Sequence, residues 1–195
     1  ANTPLGLSNV TAIAAGGSHI LALTTDGMVK TWLANSAYIF GASRAVTNIP
    51  PNATNVIAIS AGRDHCLALR SNGTVVAWGG NASRQTNVPA GLSNVVSVTA
   101  GIFRSFAVKW DGTVATWGAS SNLPAGLSNV VSISDAGDPL VLKRDGTVLA
   151  SLTNIAGLSN AIAIAGGNSV NLALKQDGSI YQSSTGVNFP TNILN

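Results

Sequence analysis

Short apolar segments with a period of two recur along the chain. In the first segment of each copy, large residues flank a small one, as in Ile57, Ala58 and Ile59. The second segment alternates leucine and alanine, as in Leu67 to Leu69. This alternation predicts β-strands. We expect the large residues of a strand to share one face, the small residues to share the other, and neighbouring sheets to cover both faces.

A turn signal separates the second strand of every copy from a third strand. The turn is Asp-Gly or Asn-Gly, and a valine or isoleucine stands two residues after the glycine. Such a pair between strands predicts a β-hairpin, and we expect a type I′ turn with positive φ at both central residues. The five turns are Asp26-Gly27, Asn72-Gly73, Asp111-Gly112, Asp145-Gly146 and Asp177-Gly178.

These elements form five tandem copies of 31–46 residues, which we treat as one repeat domain spanning residues 1–195. The copies cover about residues 6–51, 52–90, 91–125, 126–156 and 157–190, and residues 188–195 begin a sixth linker. A small repeated unit cannot bury its own faces alone. Three to four antiparallel strands per copy therefore predict an all-β fold, a β-propeller.

The pattern leaves three arrangements of the propeller open. The copies can close into a five-bladed ring, or they can be part of a larger seven-bladed ring or open array. A third arrangement is a protomer whose open edges pair with neighbouring molecules, because unpaired edges and head-to-tail contacts favour assembly.

Composition narrows the choice of partners. Charged residues make up 9 % of the chain and hydrophobic residues 46 %, and the net charge of +3 reflects the absence of glutamate as much as the ten basic residues. The basic residues are scattered, whereas nucleic-acid binding requires clusters. No apolar run approaches the ~20 residues of a membrane-spanning helix. We therefore expect neither nucleic-acid binding nor membrane insertion.

Residues that could carry chemistry are few. His19 and His65 occupy the same position in the first two copies, but other residue types replace them in later copies. We interpret them as histidines hydrogen-bonded between blades, because a zinc site needs three or four ligands. Four of the seven aspartates lie in turns, and no Gly-x-Ser-x-Gly motif is present. We expect no enzymatic activity, metal or cofactor, and a buried structural thiol at Cys66.

The string Ala-Gly-x-x-His-x-Leu-Ala-Leu, followed by Asp-Gly-x-Val and Trp-Gly-x-Asn, resembles the repeat of the regulator of chromosome condensation family. It stands at residues 15–23 and 61–69, and the extension at 78–81 and 85–89 is similar to the bacterial branch of that family. The resemblance covers essentially the whole chain and implies a propeller, usually of seven blades. That branch includes extracellular repeat proteins and a β-lactamase inhibitor with aromatic residues in most of its loops.

The variable loop that follows Ala-Gly is the first candidate binding site, because propeller loops carry function. Aromatic and arginine side chains dominate binding hot spots, so we group Phe103 with Arg104 and Arg63. The alternative is that Phe103 covers the mouth of the propeller channel. Phe103 is the one aromatic residue in these loops, which disfavours inhibition of a β-lactamase.

Two further candidates lie outside that loop. Tyr38, Ile39 and Phe40 interrupt the polar linker of the first copy, where they either form a contact patch or fold back as a cap. Trp110, beside the third Asp-Gly turn, is a candidate contact for a carbohydrate or another partner.

The sequence thus predicts a non-catalytic, bacterial, secreted or cell-surface propeller that mediates protein–protein contacts or forms a repeating component of a surface assembly. Its expected partner is another protein or a second copy of itself. The alternatives are a lectin-like propeller that binds carbohydrate and, with less support, a protein inhibitor of an enzyme. A lectin with several equivalent sites should repeat its aromatic ligands, and neither Phe103 nor Trp110 is repeated.

Overall fold

The computed structural model describes residues 4, 6–34, 44–121, 123–124, 126–150, 158–167 and 170–183. These residues form fifteen β-strands and one short 3-10 helix, Arg44–Thr47. No helix within this part of the chain has the length and apolar character needed to cross a membrane. The strands are β1 Val10–Ala15, β2 His19–Thr24, β3 Val29–Leu33, β4 Val56–Ala61, β5 His65–Arg70, β6 Val75–Gly79, β7 Val95–Ala100, β8 Arg104–Lys109, β9 Val114–Gly118, β10 Val130–Asp135, β11 Pro139–Lys143, β12 Val148–Ala150, β13 Ala161–Gly166, β14 Asn171–Lys175 and β15 Ile180–Ser183.

The strands form sheets in successive groups of three, and each sheet is antiparallel with its second strand in the centre. Sheet 1 contains β1–β3, sheet 2 contains β4–β6, sheet 3 contains β7–β9, sheet 4 contains β10–β12 and sheet 5 contains β13–β15. Five tandem three-stranded sheets are the blade organisation of a propeller. The predicted all-β propeller class is therefore confirmed, with three strands in each described blade.

The chain divides into two compact units. Unit 1 comprises Ala1–Trp110 and Val114–Ser121 and contains sheets 1 to 3. Unit 2 comprises Asp111–Thr113 and Asn122–Asn195 and contains sheets 4 and 5.

Within each unit the hydrophobic clusters lie between successive sheets. We call the face of a sheet that packs on the following sheet its trailing face, and the opposite face its leading face. Sheets 1 and 2 join Leu21, Leu23 and Val29 to Ile59, Ala68 and Trp78. Sheets 2 and 3 join Leu67, Leu69 and Val75 to Val98, Ala107 and Trp117. In unit 2, sheets 4 and 5 join Leu140, Leu142 and Val148 to Ala161, Ile164 and Ala173.

A β-bulge at the start of the first strand alters the faces that the alternation predicted. In sheet 2 the register shifts between Val56 and Ala58, which places Ile57 in the bulge. Ile57 is 58 % exposed, whereas Ile59 packs into the interface with sheet 1. The prediction that the two isoleucines share one covered face is wrong, because the extra residue turns its side chain out of the pleat. The exposed residues at this position of the other sheets are Thr11, Val96, Val131 and Ile162.

The hairpins form at the predicted places, but the predicted turn type is wrong. Only the glycine of each pair has a positive φ, as at Gly27 with φ 75°. The amide of Gly27 donates to the carbonyl of Thr24, and the amide of Thr24 donates to the carbonyl of Met28. The hairpin loop is therefore longer than the expected two residues, and it ends in a glycine with a left-handed backbone conformation. Asp26 favours it by accepting hydrogen bonds from the Thr24 hydroxyl and the Met28 amide.

The turns of sheets 1, 2 and 4 also bond to the first strand of the next sheet within their unit. The amide of Val56 donates to the carbonyl of Gly27 at 3.1 Å, and the amide of Val95 donates to the carbonyl of Gly73 at 3.0 Å. A backbone hydrogen bond thus fixes the register between neighbouring sheets in addition to their apolar contact.

Because the cores lie between sheets, we expect Leu67→Ala to destabilise the protein strongly. Leu67 is fully buried between sheets 2 and 3, and such truncations cost about 2–5 kcal/mol of the free energy of unfolding. The exposed Ile57 is the matched control, and Ile57→Ala should cost less than about 1 kcal/mol. Urea unfolding of both variants measures the difference, and equal losses would contradict the assignment of the core to the interfaces between sheets.

Candidate functional site

The loops between the first and second strands of sheets 1 to 3 lie side by side in unit 1. We call them the loop rim, residues 16–18, 62–64 and 101–103. The amide of Gly17 donates to the carbonyls of Gly62 and Arg63, each at 3.2 Å, and the amide of Arg63 donates to the carbonyl of Gly101 at 3.1 Å. The rim is therefore a hydrogen-bonded backbone layer.

Glycine is required where these loops meet. A Cβ added to Gly16 would overlap the carbonyl oxygen of Gly62 and the ring of His19. A Cβ added to Gly62 would overlap the carbonyl oxygen of Gly101 and the ring of His65. The repeated Ala-Gly step thus permits the close approach of neighbouring loops.

Beneath the rim, a histidine joins each of two successive pairs of sheets. His19 Nε2 lies 3.2 Å from Cys66 Sγ, and His65 Nε2 lies 2.9 Å from Ser105 Oγ. All four residues are fully buried. The interpretation of these histidines as hydrogen-bonded between blades is confirmed, and so is the burial of Cys66. The described residues contain no group of three or more His, Cys, Asp or Glu side chains arranged to hold a metal ion.

The tryptophan at the end of the third strand connects its sheet to the preceding linker. The indole N–H of Trp117 donates to the carbonyl of Gln85 at 2.8 Å, and that carbonyl also accepts a hydrogen bond from the Ser105 hydroxyl at 2.8 Å. The indole N–H of Trp78 likewise donates to the carbonyl of Val46 at 2.8 Å. These bonds hold the linkers against the sheets under the rim.

Burial determines the protonation states of His19, His65 and Cys66. It lowers the pKa of His65 to about 4, and His19 adds a smaller contribution in the same direction. The Asp64 carboxylate, 3.8 Å from the His65 ring, opposes this shift. Burial likewise lowers the pKa of His19 and raises the pKa of the Cys66 thiol. His19 and Cys66 therefore form a neutral hydrogen bond, and a protonated thiol is not a nucleophile.

Phe103 and Arg63 form the exposed part of the rim. The guanidinium carbon of Arg63 lies 5.2 Å from the centroid of the Phe103 ring, within cation–π range. Phe103 is 40 % exposed, and Arg63 is exposed as well. The structure therefore brings these two predicted site residues together, from the loops of sheets 3 and 2.

Arg104 does not belong to this exposed pair. It is 9 % exposed, and its guanidinium donates to the carbonyl of Ser120 at 2.5 Å. The expectation that it contributes to the contact surface is corrected accordingly: Arg104 holds the segment after β9 from below the rim.

The remaining candidates lie elsewhere. Trp110 is 78 % exposed, but it follows β8 at the end opposite the rim, so it cannot extend the surface of Phe103 and Arg63. Carbohydrate binding through Trp110 stays a prediction. Tyr38, Ile39 and Phe40 lie outside the described residues.

Two supporting residues were not identified from the sequence. The side-chain amide of Gln85, which is fully buried, donates to the Asp64 carboxylate at 3.2 Å. The amide of Gly80 donates to the carbonyl of Asp64 at 2.7 Å. The sequence shows only that Gln85 lies in a linker next to the repeat. This position does not reveal that its side chain points inward.

The buried His65 predicts that stability falls in mild acid. The unfolded histidine binds a proton below its ordinary pKa of 6.5, whereas the folded one does so only near pH 4. Its contribution is therefore complete above about pH 6.5 and is lost as the pH falls towards 4. At about 1.4 kcal/mol per pH unit, the loss is at most about 3–4 kcal/mol.

Urea unfolding at pH 7 and pH 4.5 measures this loss. His65→Gln keeps a polar side chain that does not titrate, so this variant should lose less stability between the two pH values than the wild type. The same pH dependence in both proteins would show that His65 is not the titrating group.

Comparison with known proteins supports the repeat assignment. The family model described as the regulator of chromosome condensation (RCC1) repeat matches residues 10–32 and 56–85, which contain nearly all of sheet 1 and the whole of sheet 2. No curated protein matches the chain in sequence.

Several solved structures share the fold. Human WBSCR16 is 17 % identical with a TM-score of 0.68, over 94 % of this chain and 64 % of that one. The ectodomain of the Physcomitrella patens receptor kinase CR4 is 21 % identical with a TM-score of 0.69, over 97 % and 55 %. Prp20p from Saccharomyces cerevisiae is 17 % identical with a TM-score of 0.55, over 89 % and 71 %.

The chain thus spans less than two thirds of the first two structures, and identities this low show the fold alone. Two segments of the chain, in sheets 1 and 2, thus match the RCC1 repeat, and the whole chain shares the β-propeller fold of these structures.

Proposed function

We propose that this chain is a non-catalytic protein-binding module, and that its loop rim contacts a protein partner through Phe103 and Arg63. The observation that carries the proposal is the exposed aromatic ring stacked with a guanidinium on a hydrogen-bonded backbone layer. Tyrosine, tryptophan and arginine are enriched in binding hot spots, and an aromatic ring beside an arginine has the same chemistry.

The rim is ordered before any partner arrives. Both loops that carry the pair are bonded to their neighbours, and the stacking of Arg63 on Phe103 restricts both side chains. Binding therefore loses less side-chain entropy than it would with freely rotating groups. The expected partner surface is an apolar patch beside a carboxylate, which complements the ring and the guanidinium respectively.

Proteins with this fold support the class of function. Prp20p was described together with its binding properties to Gsp1p and histones, and yeast RCC1 (Prp20) was solved with Kap60 bound to it. These partners belong to those proteins. For this chain they support protein binding in general and give no identity to its partner.

The proposal includes a secreted or cell-surface location, no catalysis, and self-association into a surface assembly. A fully buried cysteine whose pKa is raised resists oxidation, which suits an extracellular protein. The same burial leaves the His19–Cys66 pair without an activated nucleophile.

Photocrosslinking from position 103 tests the partner site. A photocrosslinking amino acid replaces Phe103, or Trp110 as a control, and the chain is irradiated with surface proteins of its source cells. The partner captured from position 103 alone is then purified, and its dissociation constant is measured for the wild type and three variants: Phe103→Ala, Arg63→Ala and Ile57→Ala.

We expect Phe103→Ala to weaken binding at least tenfold, which corresponds to about 1.4 kcal/mol. Arg63→Ala should weaken it too, because it removes the stacked cation, and Ile57→Ala should leave it unchanged. Equal affinity of the wild type and Phe103→Ala for the captured protein would refute the rim as the binding site.

A further inference from the structure

The hairpin turn of sheet 2 differs from the other four turns in one residue type. It contains Asn72-Gly73, the one Asn-Gly pair in the sequence, whereas the corresponding pairs are Asp-Gly. Asn72 is exposed. Asparagine is a thermolabile residue, and a following glycine has no side chain to shield its own peptide nitrogen from the asparagine side chain. The turn of sheet 2 is therefore a candidate for a covalent change.

Two hydrogen bonds hold the side-chain carbonyl of Asn72 over this turn. Its Oδ1 accepts from the Thr74 hydroxyl at 2.6 Å and from the Thr74 amide at 3.2 Å. The second bond closes a ring of atoms that contains the Gly73 nitrogen, so it keeps the side-chain carbonyl beside that nitrogen. Donors placed on a carbonyl oxygen also stabilise the negative charge that the oxygen gains when its carbon is attacked.

The Gly73 peptide group provides the opposing restraint. Its amide donates to the carbonyl of Arg70 at 2.9 Å, and its carbonyl accepts from the amide of Val95 in sheet 3 at 3.0 Å. A peptide nitrogen must lose its proton before it attacks a carbonyl carbon, so the bond to Arg70 has to open first. Surface turns open locally far more often than a whole sheet unfolds. The folded protein therefore gives access to the reaction and also slows it.

The turns of sheets 3 and 4 show that a carboxylate is accepted at the position of Asn72. Asp111 accepts hydrogen bonds from the amide and the hydroxyl of Thr113 at 2.9 and 2.6 Å. Asp145 accepts the same two bonds from Thr147 at 3.0 and 2.6 Å. An aspartate at residue 72 would thus keep the hydrogen bonds that the asparagine makes.

A cation already lies beside the turn of sheet 2. Arg70 is the last residue of β5, and its Nε donates to the Thr74 hydroxyl at 2.8 Å. The same strand position in sheet 5 holds Lys175, whose Nζ lies 4.0 Å from the Asp177 carboxylate. Sheet 2 has the cation, but its turn carries an uncharged amide. A negative charge at residue 72 would therefore find a partner of opposite charge in Arg70.

We propose that Asn72 is a modification site, at which the turn of sheet 2 deamidates spontaneously in water. The Gly73 nitrogen gives its proton to hydroxide and forms a bond to Cγ of Asn72. The bond between Cγ and Nδ2 breaks, Nδ2 takes a proton from water, and ammonia leaves. The intermediate is a five-membered succinimide ring.

Water then opens the succinimide at one of two bonds. Cleavage between Cγ and the Gly73 nitrogen gives aspartate, and cleavage between the main-chain carbonyl carbon of residue 72 and that nitrogen gives isoaspartate. In either case the amide and one water become a carboxylic acid and one ammonia, without an oxidant or a reductant. The carboxylate adds one negative charge to the formal net charge of +3.

The two products differ in their effect on the interface between sheets 2 and 3. Aspartate leaves the backbone unchanged, so the Val95 amide keeps its bond to the Gly73 carbonyl. Isoaspartate routes the backbone through Cγ and adds one carbon atom to the turn, which displaces that carbonyl. Isoaspartate should therefore lower the free energy of unfolding, whereas aspartate should not.

Peptide mapping by mass spectrometry tests the proposal on the folded chain. The protein is incubated at mildly alkaline pH, and each asparagine that deamidates gains about 1 Da. The matched controls within the same chain are Asn52 and Asn81, which are exposed and are each followed by alanine. We expect Asn72 to deamidate at least tenfold faster than either control. A rate at Asn72 that is no higher than the rates at Asn52 and Asn81 would overturn the proposal.

The variant Asn72→Asp tests whether the turn accepts the product. It should release no ammonia from this turn and should unfold at the same urea concentration as freshly prepared wild type. A wild-type sample that has aged should separate by ion exchange into unchanged, aspartate and isoaspartate forms, and the isoaspartate form alone should unfold at lower urea. A lower urea midpoint for Asn72→Asp would show that the turn rejects a carboxylate, which contradicts the proposed product.

Discussion

The burial of two apolar faces on every sheet is the constraint on which the rest of this structure depends. A three-stranded sheet that is covered on neither side has marginal stability in water. In this chain the apolar side chains lie on the two faces of each sheet, where only a neighbouring sheet can bury them. Leu67 and Leu69 are 0 % and 1 % exposed only because sheet 3 covers them. At about 25 cal/mol per Å² of apolar surface removed from water, these contacts are the main favourable contribution to folding.

The same constraint builds the candidate site. Neighbouring sheets approach closely enough for their loops to share hydrogen bonds, which is possible only with glycine at Gly16 and Gly62. The histidines then connect the sheets beneath the rim through Cys66 and Ser105. Arg63 and Phe103 come from two different sheets, so their contact exists only while the sheets stay packed. The proposed binding surface therefore depends on the interface between sheets 2 and 3.

Much of this arrangement follows from local sequence. The period of two and the Asp-Gly turns predict every described hairpin, because strand alternation and turn chemistry are short-range properties. The bulge at Ile57 was missed, since an extra residue in a strand leaves the alternation of residue types intact. Asn55, which has φ 53° two residues earlier, marks the irregularity only once the backbone is known.

The site was predictable in part, for a similar reason. Phe103 and Arg63 occupy the same loop of successive repeats, so their contact can be predicted from the sequence. That they form a binding site stays a prediction. Arg104 was grouped with them on residue type, yet it occupies the position of His19 and His65, which face inward. Aligning the copies indicates which positions are buried, and residue type alone does not.

The burial of apolar faces between successive sheets is central to this fold, and native-state hydrogen exchange tests it most directly. The amides of Val56 and Val95 donate to the turns of the preceding sheets, so their protection reports on the interfaces between sheets. We expect these two amides to exchange as slowly as the amides in the centre of β5, because both open only when neighbouring sheets separate. Rapid exchange at Val56 and Val95, with slow exchange within β5, would contradict this.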